Sequence, residues 1–191
     1  MIALFRFWFW LKGWKVDLVD LRDYTKGVVL AAPHTSNWDM VYSGACFDIL
    51  GLPVKFAIKK EWLRFPFGIL FRSMGAIGID RSPRTGFTKR KSTVEAISEL
   101  FDANDELLIM IAPEGTRSHT VRWKTGFYHI ALKANVPLML GYLDYKTKTA
   151  GIGKVIYPSG NIKLDMQEII DFYRPIAPKH PHKFAVDKDY E

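Results

Sequence analysis

A chain of 191 residues is long enough for one domain with a buried core, and 48% hydrophobic against 25% charged residues excludes wholesale disorder. The surplus of 27 Lys+Arg over 20 Asp+Glu, a net +7, points to anionic partners: nucleic acid, lipid headgroups or phosphorylated metabolites. The single cysteine, Cys46, excludes an intrachain disulfide, no Cys/His cluster suggests a metal, and its neighbours Ala45, Phe47, Ile49 and Leu50 make it a buried apolar thiol.

The chain opens with MIALFRFWFWLKGW, in which Phe5, Phe7, Trp8, Phe9, Trp10 and Trp14 are interleaved with Arg6 and Lys12. A spanning helix needs roughly 20 mostly apolar residues, and this run is shorter and carries charges. A secretory signal would need a charge-free run and a small-residue cleavage site. Residues 1–14 therefore suit the headgroup boundary of an anionic membrane, where amphipathic rings and cations are both solvated, or a helix docked on the domain. The expectation is a peripheral or monotopic protein on the cytoplasmic side of the cell membrane.

Short apolar runs then alternate with longer periodic ones. Residues 28–32 read as a buried strand, 33–37 as a loop, and 38–50 as a helix that Ser36 or Asn37 can cap. Strands are expected at 54–58 and 77–80, separated by a loop and short helix punctuated by Pro66, Gly68 and Gly75. Val94, Ile97, Leu100 and Phe101 recur at helical spacing within 87–104. A fully apolar strand at 107–112, a helix at 127–134, a strand at 138–145, an edge strand at 153–157 and a helix at 165–173 follow. Strands alternating with helices predict a single α/β domain over 15–173, its central sheet largely parallel and flanked by helices. Residues 174–191, rich in Pro, Lys and His, read as a loose tail.

Chemistry concentrates after the strands, where open α/β sheets bind ligands. Behind the first lies Pro33-His34-Thr35-Ser36-Asn37-Trp38-Asp39. A neutral imidazole accepts a proton from an alcohol when a carboxylate fixes its other nitrogen. In a continuous helix the five-residue step would leave His34 and Asp39 about 140° apart. The pair works if His34 lies in the loop and Asp39 reaches back from the first helical turn, whose dipole favours an ionised carboxylate. The spacing alone is weak evidence, for His182 and Asp187 repeat it in the tail. After the apolar strand at 107–112 come Glu114, Gly115, Thr116, Arg117 and Ser118, a turn whose arginine and hydroxyls suit a phosphate. Lys59 and Arg81 likewise follow strands.

HTSNWD, the segment IKKEWLRFPFG, GAIGIDR, PEGTRS and the late Val136-Pro137-Leu138 together resemble the ordered motif blocks of the glycerolphosphate and lysophosphatidic-acid (1-acylglycerol-3-phosphate) acyltransferases. The resemblance covers roughly residues 13–145. It implies that His34 is a catalytic base oriented by Asp39. It also implies that Lys59, Arg81 and Arg117 hold the acceptor's phosphate, assisted by Thr116, and that Glu114 and Gly115 shape the site. Acyl-CoA or acyl-carrier protein would serve as the thioester donor, with no metal or resident cofactor. The acceptor would be a lysophospholipid, above all 1-acylglycerol 3-phosphate, giving phosphatidic acid. The sequence departs from the family pattern at Ile79 and Ala112, where phenylalanine is common. That leaves other lysolipid acceptors open, such as an acylated amino acid, as well as a non-catalytic lipid-binding role. A nucleic-acid module would show an aromatic-basic strand platform or a recognition helix, and no nucleic-acid partner is expected.

Overall fold

The computed structural model describes residues 2–21, 23–65, 67–73, 75–79 and 91–191. Among these residues seven strands form one sheet: β1 (Lys15–Val16), β2 (Lys26–Ala31), β3 (Val54–Lys59), β4 (Ala76–Ile79), β5 (Leu107–Ile111), β6 (Leu138–Asp144) and β7 (Thr149–Ile156). Their order is β1-β7-β6-β2-β5-β3-β4, and every pairing is parallel except that of β6 with β7. The expected single α/β domain with a largely parallel sheet is what the chain forms. Two details differ. The strand foreseen at 153–157 starts earlier, at Thr149, and is not an edge, because Lys15 and Val16 pair with Thr149 and Ala150 along its free side. Two residues are too short a run for periodicity to reveal.

Strand β2 sits at the centre, flanked by β5 and β6, and shows why residues 28–31 are all apolar. Side chains alternate between sheet faces, and here both faces are covered. Val28 and Leu30 pack with Ile97 and Phe101 of α4 (Thr93–Asp102), Phe127 and Ile130 of α5 (Gly126–Ala134), and Met166, Ile169 and Tyr173 of α6 (Ile162–Tyr173). Val29 faces the other way, against Phe47 of α2 (Trp38–Ile49) and Leu21. The helix over 93–102 starts at a reciprocal capping box, Ser92 accepting from the Glu95 N–H and Glu95 from the Ser92 N–H. The short helix expected between the strands at 54–58 and 77–80 is α3 (Phe67–Ser73), and the first part of the helix expected from residue 87 lies outside the described residues.

The aromatic N-terminus forms α1 (Ile2–Leu11), which lies on α2. Phe9 is buried in a cluster with Trp14, Tyr42 and Cys46, and Phe5 and Trp8 pack at its border. Arg6 pairs with Asp48 of α2 at 3.3 Å, and Lys12 sits 4.7 Å over the Trp8 ring. The opposite arc of the helix exposes Leu4, Phe7, Trp10 and Leu11. Among the described residues no helix is long and apolar enough to cross a membrane.

The loose tail expected over 174–191 is overturned. Ile176, Phe184, Val186 and Tyr190 pack against the main core, and Asp187 is 1% exposed. The Asp187 carboxylate accepts from the backbone N–H of Trp123 at 2.7 Å, while the Trp123 indole N–H donates to the Ala185 carbonyl at 3.1 Å. Proline and lysine composition suggested solvation, but four spaced apolar side chains and one capping carboxylate suffice to hold the segment down.

Candidate active site

The turn between β2 and α2 brings His34 and Asp39 together. Asp39 stands in the first turn of α2 and bends back, so that Oδ2 accepts from the Thr35 and Ser36 N–H groups, each at 2.8 Å. The same oxygen lies 3.2 Å from His34 Nδ1. Neither Ser36 nor Asn37 caps the helix in the usual way. Ser36 Oγ accepts from the Trp38 N–H at 3.2 Å, and the Asn37 side-chain oxygen accepts from the Arg117 guanidinium instead. Burial by itself would push the Asp39 carboxyl up. Hydrogen bonds from His34, Tyr145 and Ser36 outweigh it and hold the carboxyl below its ordinary value.

With Nδ1 committed to Asp39, Nε2 of His34 is the nitrogen left for chemistry. The imidazole lines a cavity of about 200 Å³ between α2 and the sheet, walled by Met40, Ser43 and Cys46 on one side and Phe56, Met110 and Leu143 on the other. Gly141 and Gly151 also line it. A Cβ on Gly141 would lie 2.7 Å from the Leu30 carbonyl oxygen, so the two strands meet here only because that residue is glycine. Burial pushes the Cys46 thiol up to about 12, which removes it as a nucleophile and agrees with the apolar reading of its neighbours.

Glu114, just past β5, is buried and reaches across to the turn between β2 and α2, where Oε1 accepts the His34 backbone N–H at 2.8 Å. Oε2 is buried without a hydrogen-bond partner among the described residues. Burial pushes this carboxyl up to about 7, against the opposing effect of the His34 N–H. Because the folded state holds its proton more tightly than the unfolded chain, ionising Glu114 opposes folding. Stability is lost as pH rises from the ordinary carboxylate range through about 7 and then levels. The loss is on the order of 3 kcal/mol. Glu114→Gln retains an oxygen for the His34 N–H, and urea melts at pH 5 and pH 8 are expected to show the difference between those pH values shrinking in the variant. A wild-type pH dependence in Glu114→Gln would mean that another group carries it.

The remaining site residues gather less tightly. Gly115 adopts φ +66°, a left-handed turn that glycine alone adopts without strain, and this swings Thr116 and Arg117 outward into solvent. Thr116 Oγ1 accepts from the Ser118 N–H at 3.1 Å. Arg117 is brought to the α2 N-terminus by its bond to Asn37. Lys59 ends β3, on the same sheet edge. Arg81 lies outside the described residues. His182 and Asp187, which share the spacing of the His34–Asp39 pair, are exposed and buried respectively, with Asp187 engaged by Trp123 and by the Asp189 N–H.

Sequence reasoning missed Tyr145, whose O–H donates to Asp39 Oδ1 at 2.6 Å. It immediately follows β6, parallel to β2, so the rule that singled out the other strand ends also applied to it.

Comparison with known proteins bears on the fold and the family. The crystal structure of the 1-acyl-sn-glycerophosphate (LPA) acyltransferase PlsC from Thermotoga maritima superposes with a TM-score of 0.57 at 18% identity, over 91% of this chain and 76% of that one. At that identity the likeness is one of fold. No curated protein matches the sequence. The acyltransferase family profile matches residues 15–140, two-thirds of the chain, and takes in both His34-Asp39 and the turn at 114–117. Because that profile covers two-thirds of the chain, with the His34–Asp39 pair inside the matched segment, the chain belongs to the acyltransferase family.

Proposed function

We propose that the protein transfers a fatty acyl group from acyl-CoA or acyl-carrier protein to the hydroxyl of 1-acylglycerol 3-phosphate, forming phosphatidic acid. One observation carries the reading: His34, fixed through Nδ1 by Asp39, lines an apolar cavity of about 200 Å³. His34 Nε2 takes the proton of the acceptor hydroxyl as its oxygen attacks the thioester carbonyl. The C–O bond forms, the C–S bond breaks, and the imidazolium returns the proton to the departing thiolate. Asp39 stabilises the imidazolium meanwhile. The cavity suits an acyl chain, since its walls are mainly apolar side chains. Arg117, with Lys59 at the end of β3 and Arg81 two positions after β4 in the sequence, supplies cations for the acceptor's phosphate, and Thr116 adds a hydroxyl. The choice of acceptor is the one that the Thermotoga maritima protein's own name carries, 1-acyl-sn-glycerophosphate.

The test incubates purified protein with acyl-CoA or acyl-carrier-protein donors and a panel of lysolipids with and without a phosphate, identifying products by mass spectrometry. Acylation of 1-acylglycerol 3-phosphate is the expected result. Equal transfer to acceptors lacking phosphate, such as acylated amino acids, would remove the phosphate assignment. No transfer to any acceptor would remove the enzyme.

The same reading places the protein peripherally on the cytoplasmic side of the cell membrane, with the exposed arc of α1 on the bilayer. Leu4, Phe7, Trp10 and Leu11 suit the headgroup boundary, whereas Arg6 and Lys12 are engaged with Asp48 and Trp8. Removing the whole helix would also remove Phe9 from the core, so the informative change is confined to the outer face. Leu4→Ser with Phe7→Ser and Trp10→Ser is expected to abolish most co-sedimentation with phosphatidylglycerol-containing liposomes at little change in melting temperature. Undiminished sedimentation would place the contact elsewhere.

A further inference from the structure

The bonds that fix Asp39 divide by origin. Oδ2 is held by the N–H groups of Thr35 and Ser36, which belong to its own turn and move with it. The torsion that sets a carboxylate plane is soft, so these bonds alone leave the pair free to shift as a unit against the sheet. Oδ1 is held from outside, by the Tyr145 O–H at 2.6 Å, across 106 positions of sequence. Tyr145 is itself tightly seated. Its ring meets Trp14 edge-on at 4.9 Å and Tyr42 at 5.9 Å, Trp14 and Tyr42 stack at 4.5 Å, and its backbone N–H donates to the Ala177 carbonyl at 2.8 Å. Trp14, Tyr145 and Ala177 all lie outside residues 15–140, the segment matched by the family profile.

We propose that Tyr145 is a positioning residue of the His34–Asp39 pair: its phenol O–H anchors the second carboxylate oxygen to the end of β6, so that Oδ2 stays aimed at His34. The inference rests on the reading of His34 as general base. Burial, together with the bond to Asp39, raises the Tyr145 hydroxyl far above its ordinary range, so it remains a donor throughout. The aromatic seat sets the direction of the O–H, and the Ala177 bond recruits the C-terminal segment to the same task.

A second tyrosine–aspartate bond in the molecule serves as an internal control. Tyr128 donates to Asp165 at 2.7 Å, and Tyr128 lies in the main core against the opposite face of the sheet from α2. Tyr145→Phe, Tyr128→Phe and His34→Ala are compared in the 191-residue chain by kcat, KM, thermal melts and the His34 Nδ1–H proton resonance. Tyr145→Phe is expected to lower kcat about tenfold, the rate equivalent of one hydrogen bond to a charged group, with KM unchanged and the resonance displaced. Tyr128→Phe is expected to lower the melting temperature and to leave kcat and the resonance alone. If His34→Ala is inactive while Tyr145→Phe keeps wild-type kcat, the base assignment stands and the proposal is overturned. Overturning also follows if Tyr145→Phe loses kcat only in proportion to its folded fraction with an unmoved resonance. Should His34→Ala keep full turnover, the reading of the base fails and the proposal falls with it.

Discussion

Replacing His34 by alanine is expected to reduce kcat by about 10²–10⁴-fold, the usual contribution of a general base, while leaving the melting temperature nearly unchanged. The second half of that expectation comes from the local bonds. Asp39 keeps the Thr35 and Ser36 N–H groups and the Tyr145 O–H after the imidazole is gone, so its buried charge remains satisfied. Glu114 keeps the N–H of residue 34, because that donor is backbone. Asp39→Asn is a less clean experiment. An amide cannot accept at both ends: with its oxygen kept on the paired backbone N–H groups, its NH2 faces Tyr145, whose hydroxyl must turn from donor to acceptor, so the anchor changes along with the charge and rate falls for two reasons. His182→Ala, in the pair of identical spacing, is expected to change neither quantity, since His182 is exposed and Asp187 is engaged by Trp123. A folded His34→Ala protein with near-normal kcat would end the proposed mechanism, and an inactive, well-folded His182→Ala would show that the other histidine was the one that mattered.

The contrast between those two pairs shows what was legible beforehand. Both have the same spacing, and what separated them in the sequence was context: an apolar strand before His34 and a helical pattern after Asp39. That context is physical, because a buried parallel strand must end at a sheet edge and the helix after it must present unpaired N–H groups there. The parallel sheet, the buried Cys46 and the meeting of His34 with Asp39 were readable for this reason. Glu114 was readable only as a site residue; its bond to the His34 N–H joins positions 80 apart and leaves no local trace. The Tyr145 contact, over 106 positions, was hidden in the same way. The N-terminal stretch was ambiguous for a different reason. A helix apolar around nearly its whole circumference, Arg6 apart, carries little periodicity, and α1 uses one arc against α2 and leaves the other bare.

Deleting residues 175–191 is expected to cost on the order of 5 kcal/mol, roughly 10–20 °C in melting temperature for a domain of this size. Composition alone argued the reverse, since a segment rich in proline and lysine normally lacks the apolar area to order itself. What the segment borrows is a prepared surface. Ile176, Phe184, Val186 and Tyr190 each cover part of the main core, and Trp123 turns both its backbone N–H and its indole N–H towards the tail. Removal exposes those four side chains and the buried Trp123 together, a loss comparable to a large share of the net stability of an ordinary domain. It also removes the Ala177 carbonyl that holds Tyr145 and the His180 N–H that donates to Thr35 Oγ1 at 3.3 Å, so activity is expected to fall below what the folded fraction explains. A single substitution separates the causes. Asp187→Ala leaves the Trp123 N–H buried without its acceptor, at about 1–3 kcal/mol, and is expected to lower the melting temperature while leaving the segment's contacts near Thr35 and Tyr145 in place. Asp187→Asn, which keeps an acceptor oxygen, should recover most of that loss. Thermal melts and kcat measured on the deletion and both point variants decide the matter: a deletion that melts with the full chain would mean the tail lies on the core without supporting it.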